Sequence, residues 1–445
     1  MTDESLAREI IGRLRASGHA AFLVGGCVRD MLLQQLPGDF DVATSALPQE
    51  LKQLFPGSGE VGAHFGVVLV RGSGVQSGVQ SGAQVEVATF RSDLEYLDGR
   101  HPSGVRFETS PRQDALRRDF TINALLLDPV SGQVLDFTSG RADLEAGIIR
   151  AIGDPQKRFE EDHLRLLRAI RFAARLHFTI EPATFAAIRD LAPQINTVAP
   201  ERVRDELVRI LTEGGARRGL ELLASSGLLH EILPEVEAMR GVEQPPEFHP
   251  EGDVFIHTLI MLEGLQKPSA TLAMGVLLHD VGKPPTFRRA ERIRFDGHVQ
   301  KGVEIAHAIL ARLRFSNDET TAVEALVANH MKFMDVGKMR ESTLKRFIRQ
   351  PAFAEHMELH RLDCLSSHGS LSSYDFVRRK LEELPPEQLQ PKLLLTGRDL
   401  IAAGYPPGPR FSGVLKAVED AQLEGRITTA EEALSLARSE FANLH

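Results

Sequence analysis

The spacing of the apolar residues changes once along this chain of 445 residues. After an amphipathic segment at 1–20, short runs such as "AFLVGG", "FDVAT" and "VEVATF" read as strands, and the last of them is "GVRFE". From Asp154 to the C-terminus the pattern is almost wholly helical. The sequence therefore predicts an α+β fold, with an N-terminal domain of strands and helices at 1–150 and a helical remainder.

A chain of this length is too long for a single hydrophobic core, and about three domains are expected from length alone. Breaks rich in proline and glycine occur at "EQPPEFHPEGD" and "LEELPPEQLQP". We therefore expect a helical neck and body at 151–245, a second helical domain at 246–385 and a helical tail at 386–445.

The composition, with 42% hydrophobic and 25% charged residues, is that of a globular protein. The formal net charge of −9 excludes a uniformly basic nucleic-acid binder, so any surface for nucleic acid must be a local basic patch. The two cysteines lack zinc-type spacing and fit a reducing compartment. No apolar run reaches membrane-spanning length and the N-terminus lacks a signal-peptide pattern, so we expect a cytoplasmic protein without a membrane partner. The sequence does not specify an oligomeric state.

The stretch "FLVGGCVRDMLLQQLPGDFDVAT" places two glycines at the end of an apolar run. Gly25 and Gly26 can bring backbone amides close to a phosphate, and Arg29 lies about one turn into the helix expected after them. Asp39 and Asp41, two residues apart on a strand, would point to the same face. Together these residues suit a nucleotide with its magnesium ion, although an ordinary turn followed by a charged strand is the alternative.

A second polar cluster lies in "DALRRDFTINALLLDP", just before a predicted apolar helix. Asp119 or Thr121 could cap that helix. The adjacent Arg117 and Arg118 also suit contacts to a triphosphate or a sugar.

The segment "EEDHLRLLRAIRFAARL" predicts a helix on which Asp162 and Arg165, three residues apart, share a face and can meet. Arg168 and Arg171 continue at the same interval. A surface ion pair is the plain interpretation. The alternative is that the pair recognises a nucleotide base. The carboxylate would accept from an exocyclic amine, and the arginine would donate to ring acceptors. This pattern matches the Watson–Crick edge of cytosine or, after a small rotation, of adenine.

Taken in order, "LVGGCVRD…DFD", "RRDFTINAL" and "RFEEDHLRLLRAIRFAARL" resemble the class II tRNA nucleotidyltransferases and bacterial poly(A) polymerases. The segment "LLTGRDLIAAGYPPGPRFSGVLK" extends the resemblance towards the C-terminus. It implies a polymerase-β-like nucleotidyltransferase head followed by an all-α neck, body and tail. It also implies template-independent addition of nucleotides to the acceptor arm of tRNA, with CTP and ATP as substrates and Mg²⁺ in the head.

The resemblance further implies roles for individual residues. Asp39 and Asp41 would be the catalytic metal ligands, and Asp162 with Arg165 would select the base. The remaining predicted nucleotide contacts are Gly25, Gly26, Arg29 and Arg118 in the head and, as phosphate contacts or braces of the base-selecting pair, Arg168 and Arg171.

Members of the family add CCA, CC only, A only or a poly(A) tail. The segment "ATFRSDLEYLDGRHPSGVRF" resembles a flexible loop that CC-only members lack. Ala63 and His64 stand where bacterial poly(A) polymerases carry paired basic residues, which favours tRNA as the substrate. We therefore expect CCA addition, with A-only and poly(A) addition as alternatives. The tandem repeat "RGSGVQSGVQSGAQ" predicts a long flexible hairpin loop without a functional interpretation.

Five segments between 249 and 369, including "LLHDVGKP" and "VANHMKF", resemble the HD phosphohydrolase superfamily. The resemblance implies an HD-like domain that hydrolyses phosphoesters, with 2′,3′-cyclic phosphates at damaged tRNA ends as candidate substrates. One divalent metal (Mg, Mn, Ni or another) would be held by His257, His279, Asp280 and Asp363, and a second by His298 and His330. One alternative is a relict fold that only packs against the body. Another makes this region the main enzyme with a nucleotide-sensing head, and a weaker one is a non-enzymatic RNA-binding protein.

Overall fold

The computed structural model describes residues 2–60, 66–72, 82–93, 104–247, 249–250 and 252–443. They form two compact units. The first holds the chain up to Glu237 together with Arg312–Arg314, and the second holds Ala238–Ala311 and the chain from Phe315 onward. Among the described helices, none combines the length and the apolar character needed to cross a membrane. The finer division into four domains stays a prediction.

The strands of the first unit build one mixed sheet of seven strands and two smaller pairs. In chain order they are β1 (Ala21–Val24), β2 (Asp41–Thr44), β3 (Gly59–Glu60), β4 (Val67–Arg71), β5 (Gln84–Thr89), β6 (Arg91–Asp93), β7 (Val105–Phe107), β8 (Leu126–Leu127), β9 (Val134–Leu135), β10 (Ile148–Ile149) and β11 (Thr179–Ile180). The main sheet has the order β3-β4-β5-β2-β1-β8-β9. Within it β2 pairs antiparallel with β1 and parallel with β5, so β2 is central.

The helices of the first unit pack beside this sheet and continue beyond it. They are α1 (Asp3–Ala16), α2 (Gly26–Leu32), α3 (Pro48–Leu54), α4 (Pro111–Leu116), α5 (Gly140–Ala146), α6 (Pro155–Glu161), α7 (Leu164–Leu176), α8 (Pro182–Leu191), α9 (Pro200–Thr212), α10 (Ala216–Ser225), α11 (Leu228–Ile232) and α12 (Pro234–Glu237). Short 3-10 segments lie at Thr121–Asn123 and Ala192–Thr197. Strands in the first part and helices from Pro155 onward confirm the predicted change of pattern.

The strand alternation of the sequence is visible in the burial of β5. Val85 and Val87 are buried while Glu86 between them is exposed, as the period of two in a half-buried strand requires. Phe90, directly after β5, is fully buried and packs in a cluster with Val24 of β1 and Leu126 of β8. Packing in this core holds the central strands in position, and it thereby positions the polar residues at the strand ends.

The second unit is helical apart from one short hairpin. Its helices are α13 (Val254–Glu263), α14 (Ala270–Leu278), α15 (Lys283–Thr286), α16 (His298–Arg312), α17 (Asn317–Asn329), α18 (Glu341–Ile348), α19 (Phe353–Ser366), α20 (Ser372–Glu383), α21 (Pro386–Leu389), α22 (Gly397–Ala402), α23 (Arg410–Leu423) and α24 (Ala430–Asn443). A 3-10 segment lies at His330–Lys338, and the hairpin consists of β12 (Arg288–Arg289) and β13 (Ile293–Arg294).

Three predictions concern segments that lie wholly or partly outside the described residues. They are the tandem repeat at 73–81, the central part of the loop at 94–103, and the pair Ala63 and His64. These interpretations stay predictions.

The prediction of an apolar helix after Asp119 is wrong. The chain forms the 3-10 segment Thr121–Asn123 and then enters β8, which pairs with β1. The apolar run is short, and a short run is compatible with either a helix or a buried strand. Pairing with the edge of β1 decided between them here.

Candidate functional sites

Gly25 and Gly26 form a tight turn between a strand and a helix, which is the backbone geometry typical of a phosphate-binding turn. Gly25 follows β1 with φ of +78°, a backbone conformation that favours glycine, and α2 begins at Gly26. A Cβ atom on Gly25 would lie 3.4 Å from Arg118 Nη1 and 3.9 Å from Asp41 Oδ2. The turn therefore brings bare backbone beside both a cation and a carboxylate, three groups that the sequence had placed in two separate motifs.

Asp41 shares its surroundings with two further carboxylates. Burial, together with the charges of Asp39 and Glu86, raises the pKa of Asp41 to about 6, and the charge of Arg118 opposes that rise. Glu86 lies directly across from Asp41 in the parallel pairing of β2 with β5. The sequence analysis missed Glu86, because the register of two strands about 45 residues apart cannot be read from either strand alone.

Arg118 is held in place by a buried carboxylate. Its Nε and Nη2 atoms donate to Asp114 Oδ2 at 3.2 and 2.9 Å, while Arg117 donates to Asp114 Oδ1. Burial opposes ionisation of Asp114, but Arg118 and Arg117 hold the pKa of that carboxyl below its ordinary value. The arrangement leaves Arg118 Nη1 on the side of Gly25, where a phosphate oxygen could be bound.

Arg29 has partners within the protein. It is only 2% exposed, donates to Asp30 Oδ1 at 2.7 Å and to Asn123 Oδ1 at 2.8 Å, and lies over the ring of Phe172 at 5.2 Å. Arg29 therefore connects the turn after β1 to helix α7 through these contacts. A direct contact to a nucleotide stays a prediction.

Asp119 belongs to the same network and does not cap a long helix. Its carboxylate accepts from the Phe120 amide at 2.8 Å, from Asn123 Nδ2 at 3.2 Å and from Arg168 Nε and Nη2 at 2.9 and 2.6 Å. Arg175 of α7 pairs with Asp30 at 3.2 Å. We call this set the bridging network, and it consists of Arg29, Asp30, Asp119, Asn123, Arg168 and Arg175. It joins the sheet domain to helix α7 through charged hydrogen bonds.

The predicted continuous helix through Asp162 is wrong. Asp162 has an extended backbone (φ −150°, ψ 105°) between α6 and α7, and its Oδ1 accepts from the Leu164 amide at 3.1 Å. An aspartate that caps the next helix interrupts the one before it, since its own backbone leaves the helical region. Asp162 and Arg165 are thus not on one helix face, although the Arg165 amide still donates to the Asp162 carbonyl at 3.0 Å.

The two predicted base-selecting side chains are held by different partners. Asp162 pairs with Arg202 of α9 at 2.9 Å, and Arg165 donates to Glu161 and to the Arg158 carbonyl. Both are largely shielded from solvent. The sequence analysis missed Arg202 and Glu161 as partners.

Arg171 is buried. It pairs with Glu206 at 2.8 Å and Glu213 at 3.2 Å and lies over Phe172. These contacts brace α7 against α9. The roles predicted for Arg171, a phosphate contact or a brace of the base-selecting pair, stay predictions.

In the second unit the structure brings together all six predicted histidines and aspartates. We call them the histidine–aspartate cluster: His257 on α13, His279 and Asp280 after α14, His298 at the start of α16, His330 after α17 and Asp363 on α19. His257 Nε2 lies 3.2 Å from Asp363 Oδ1, and His279 Nε2 lies 3.1 Å from Asp280 Oδ2. The Nε2 atoms of His298 and His330 lie 3.9 and 3.8 Å from Asp280 Oδ1.

Backbone carbonyls fix the tautomer of three of these histidines. The Nδ1 atoms of His279, His298 and His330 lie 2.9, 2.9 and 2.7 Å from carbonyl oxygens three residues earlier in the chain. A carbonyl only accepts, so Nδ1 donates and a neutral ring leaves the lone pair on Nε2. Among the described atoms, these three Nε2 atoms and Asp280 Oδ1 are buried without a hydrogen-bond partner.

The cluster fits a divalent metal. Two groups, His257 with His279 and Asp280, and Asp280 with His298 and His330, each have one ligand atom per residue within 4.8 Å of the others. Imidazole lone pairs oriented by carbonyls on the opposite ring nitrogen are the usual ligands of transition metals. The two groups share Asp280, and the first does not include Asp363. The expectation of two metal positions stays a prediction.

Gly282 and Lys283 lie just after Asp280 in the chain. Gly282 allows a close helix contact beside the cluster, and Lys283 pairs with Asp280. A Cβ atom on Gly282 would lie 2.1 Å from the His298 carbonyl oxygen and 2.5 Å from Gly302 N, so glycine allows α16 to approach. Lys283 Nζ lies 2.6 Å from Asp280 Oδ2 and 2.6 Å from Gln244 Oε1. Burial opposes ionisation of Asp280, but the charges of His279 and Lys283 hold its pKa well below the ordinary value.

Family models match the head and much of the helical remainder, and the boundaries predicted within that remainder stay predictions. The family model "Poly A polymerase head domain" matches residues 21–150, "Probable RNA and SrmB- binding site of polymerase A" matches 177–240, and a tRNA nucleotidyltransferase domain 2 model matches 298–437. The structure is similar to that of the Bacillus stearothermophilus CCA-adding enzyme in complex with CTP. The TM-score is 0.75 at 26% identity, with 100% of this chain and 99% of the other covered.

Two curated relatives extend the comparison. The CCA-adding enzyme of Leuconostoc mesenteroides is 31% identical over 439 residues, which is 98% of this chain and 96% of the relative. The CCA-adding enzyme of Streptococcus sanguinis is 42% identical over 234 residues, so that alignment spans 53% of this chain and about half (56%) of the relative's length. The resemblance inferred from three motifs is thereby confirmed, and the chain belongs to the CCA-adding enzyme family of class II tRNA nucleotidyltransferases.

Proposed function

We propose that this enzyme completes the 3′ end of tRNA with CCA, taking C from CTP and A from ATP without a nucleic-acid template. The observation that carries the proposal is the meeting of Gly25, Asp41 and Arg118 at the end of the central strands. The full-length similarity to a CCA-adding enzyme favours CCA over A-only or poly(A) addition.

In the proposed site, Asp39 and Asp41 hold Mg²⁺, with Glu86 as a third carboxylate in reach. The residues fit the ion because burial and the charges of Asp39 and Glu86 raise the pKa of Asp41, and a cation beside these carboxylates would relieve their repulsion. Bound magnesium would neutralise the triphosphate and lower the pKa of the attacking hydroxyl. The amides after Gly25 and the free edge of Arg118 would bind the phosphates.

In the reaction, the 3′-hydroxyl oxygen of tRNA forms a bond to the α-phosphorus of the nucleotide and loses its proton. The bond from that phosphorus to the bridging oxygen breaks, and pyrophosphate leaves with the electron pair. The contribution of the protein is orientation, because Gly25, Asp41 and Arg118 lie together at the end of the central strands.

Base selection is proposed for Asp162 and Arg165. The carboxylate accepts from the exocyclic amine of cytosine or adenine, and the guanidinium donates to a ring acceptor. Uracil and guanine would leave buried polar groups unpaired at a cost of about 1–3 kcal/mol each. Arg202 and Glu161 would set the direction of these two side chains. The helical body and tail would bind the acceptor arm, and a cytoplasmic location stays a prediction.

The test uses two tRNA transcripts, one ending at the discriminator base and one ending in CC, with magnesium and labelled CTP and ATP supplied singly and together. Two C and then one A on the first transcript would establish CCA addition. Labelling only of the second transcript, and only by ATP, would make this an A-adding enzyme. Long A tails would indicate a poly(A) polymerase.

A second candidate function is metal-dependent phosphoester hydrolysis in the histidine–aspartate cluster. The specific observation is the set of buried ligand atoms without hydrogen-bond partners: Asp280 Oδ1 and the Nε2 atoms of His279, His298 and His330. A bound divalent ion would activate water and neutralise a phosphoester. In a 2′,3′-cyclic phosphate, the water oxygen bonds to phosphorus, one phosphorus–ribose oxygen bond breaks, and that oxygen takes a proton.

Equilibrium dialysis against Mn²⁺ or Ni²⁺ tests this function at its first step. The variant His330→Asn removes one ligand atom but keeps an N–H that can donate to the Val327 carbonyl. His307→Asn on the exposed side of α16 is the matched control. Retention of metal by the wild type and the control, but not by His330→Asn, supports the site. No retention by the wild type would make the cluster a relict that only packs.

A further inference from the structure

The hairpin β12–β13 is strongly basic in an acidic protein. Its seven residues, 288–294, include four arginines and one glutamate, while the whole chain carries a net charge of −9. All four arginine side chains are exposed, and Arg289 pairs with Glu243. Within the described part of the chain, no carboxylate forms an ion pair with Arg288, Arg292 or Arg294.

The strand register places like charges opposite each other. Arg288 is the direct cross-strand partner of Arg294, so the two guanidinium groups extend from the same face of a two-stranded ribbon. Like charges at such positions destabilise a hairpin. Because Arg288 and Arg294 carry this repulsion and form no ion pair with the described carboxylates, the ribbon is suited to a polyanion, which would relieve the repulsion on binding.

The hairpin adjoins the histidine–aspartate cluster through its base. Phe287 and Phe295 flank the two strands with ring centroids 5.9 Å apart. Phe295 contacts the cluster side, with Lys283 Nζ 5.3 Å from its ring and the His298 ring at 6.5 Å. Phe287 is 38% exposed and offers a face on which a base can stack. Basic side chains beside an exposed aromatic ring are typical of a surface for single-stranded nucleic acid.

We propose that this hairpin binds the backbone of a single RNA strand whose end enters the histidine–aspartate cluster. The substrate that the hairpin favours at that cluster is then a phosphorylated RNA end over a free nucleotide. The inference rests on the proposed phosphohydrolase function for the reaction, but the docking of RNA on the hairpin is a separate claim. Arg288 and Arg294 bind successive phosphates, and the strand end reaches the cluster past Phe295.

The experiment compares two substrates, a ten-nucleotide RNA ending in a 2′,3′-cyclic phosphate and a 2′,3′-cyclic mononucleotide, with Mn²⁺ present. The variant is Arg288→Gln with Arg294→Gln, which removes the cross-strand repulsion and should not weaken the fold. The control is Arg378→Gln with Arg379→Gln on the exposed side of α20, which removes the same charge elsewhere in the second unit.

We expect the hairpin variant to lose about tenfold or more in kcat/KM for the RNA and to keep the mononucleotide activity of the wild type. The slope of log kcat/KM for RNA against log salt should become shallower by about 1.4, since two phosphate contacts on a single strand are lost. Equal activity of variant and wild type on RNA would overturn the proposal.

A second measurement decides the docking even if no hydrolysis occurs. The same RNA, with 4-thiouridine at its last nucleotide, is photo-crosslinked to the full-length protein and the modified peptide is identified. Crosslinks within 287–298 that disappear in the hairpin variant would support docking. If no hydrolysis is seen in that case, only the hydrolase proposal is refuted. Crosslinks confined to other segments would refute docking itself.

Discussion

At the scale of single residues, Asp162 decides what the proposed base-selecting site can reject. Replacing Asp162 by alanine removes the acceptor for the exocyclic amine of cytosine, so we expect the preference for CTP over UTP to fall about tenfold or more. Single-nucleotide incorporation with each of the four nucleotides measures this preference as a ratio of kcat/KM values.

Asp190→Ala on the exposed side of α8 is the matched control, because it removes an exposed carboxylate that does not belong to the pair with Arg202. An unchanged CTP-to-UTP ratio in Asp162→Ala would contradict the role of this carboxylate. A loss of activity with all four nucleotides would point to a folding defect instead, which thermal unfolding of the variant would reveal.

The residue types at this site were predictable from the sequence, but their partners were not. "EEDHLRLLR" contains the carboxylate and the guanidinium that base recognition needs. Whether they face each other depends on the break at Asp162 and on Arg202, which is 40 residues away and reaches Asp162 only through the packing of α9 on α7. Glu86 was not predicted as a site residue for the same reason, because the register between two strands is a tertiary property.

Asp119 supplies a pH-dependent contribution to stability. Burial opposes its ionisation, but pairing with Arg168 lowers the pKa of Asp119 to about 2, against an ordinary value of 3.8. A folded-state pKa below the unfolded one stabilises the protein above the unfolded value, and this contribution is lost as the pH falls. The loss should extend from about pH 4 to pH 2, with about 1 kcal/mol gone by pH 3.

Urea unfolding of the wild type and of Asp119→Asn between pH 5 and pH 3 measures this contribution. The asparagine variant should start less stable and lose less of its free energy of unfolding over that range. Parallel decreases in the two proteins would show that Asp119 does not titrate in this way.

At the scale of elements, the approach of α16 to the loop after α14 sets the geometry of the histidine–aspartate cluster. Alanine at position 282 would place its Cβ 2.1 Å from the His298 carbonyl oxygen, so the start of α16 and its histidine must move. We expect Gly282→Ala to lower the stability of the second unit by about 2–3 kcal/mol and to abolish metal retention.

Gly337→Ala is a matched control, since a Cβ there would meet nothing within 4 Å and its φ is not positive. Both variants are followed by thermal unfolding and by dialysis against Mn²⁺. Full metal retention in Gly282→Ala would show that the cluster tolerates a displaced α16.

Elements with a strong hydrophobic periodicity were predictable from the sequence. Elements whose conformation depends on pairing with a neighbouring strand were not. The alternation in "VEVAT" and the helical spacing around Ile10 and Leu14 correspond to β5 and α1. The run after Asp119 was misread as a helix because its few apolar residues fit both periods, and pairing of β8 with β1 settled the conformation.

At the scale of the whole molecule, the two proposed sites lie in different compact units. The carboxylates Asp39 and Asp41 belong to the first, and the histidine–aspartate cluster belongs to the second. Each site has its own polar partners within its unit, such as Asp114 for Arg118 and Lys283 for Asp280. One chain can therefore carry two phosphate chemistries, one that extends an RNA end and one that hydrolyses a phosphoester.

This separation predicts reciprocal effects of two substitutions. Asp39→Ala should reduce CMP incorporation into tRNA by about a thousandfold or more, since a magnesium ligand is lost, and should leave Mn²⁺ retention unchanged. His330→Asn should abolish Mn²⁺ retention and keep incorporation within about twofold of the wild type, because residues that share no partners usually act independently. Both activities are measured on the same preparations, with Asp190→Ala and His307→Asn as surface controls. If His330→Asn also stopped nucleotide addition while remaining folded, the second unit would have to act on the first, and independence would be wrong. If Asp39→Ala incorporated CMP normally, the assignment of the magnesium site would be wrong.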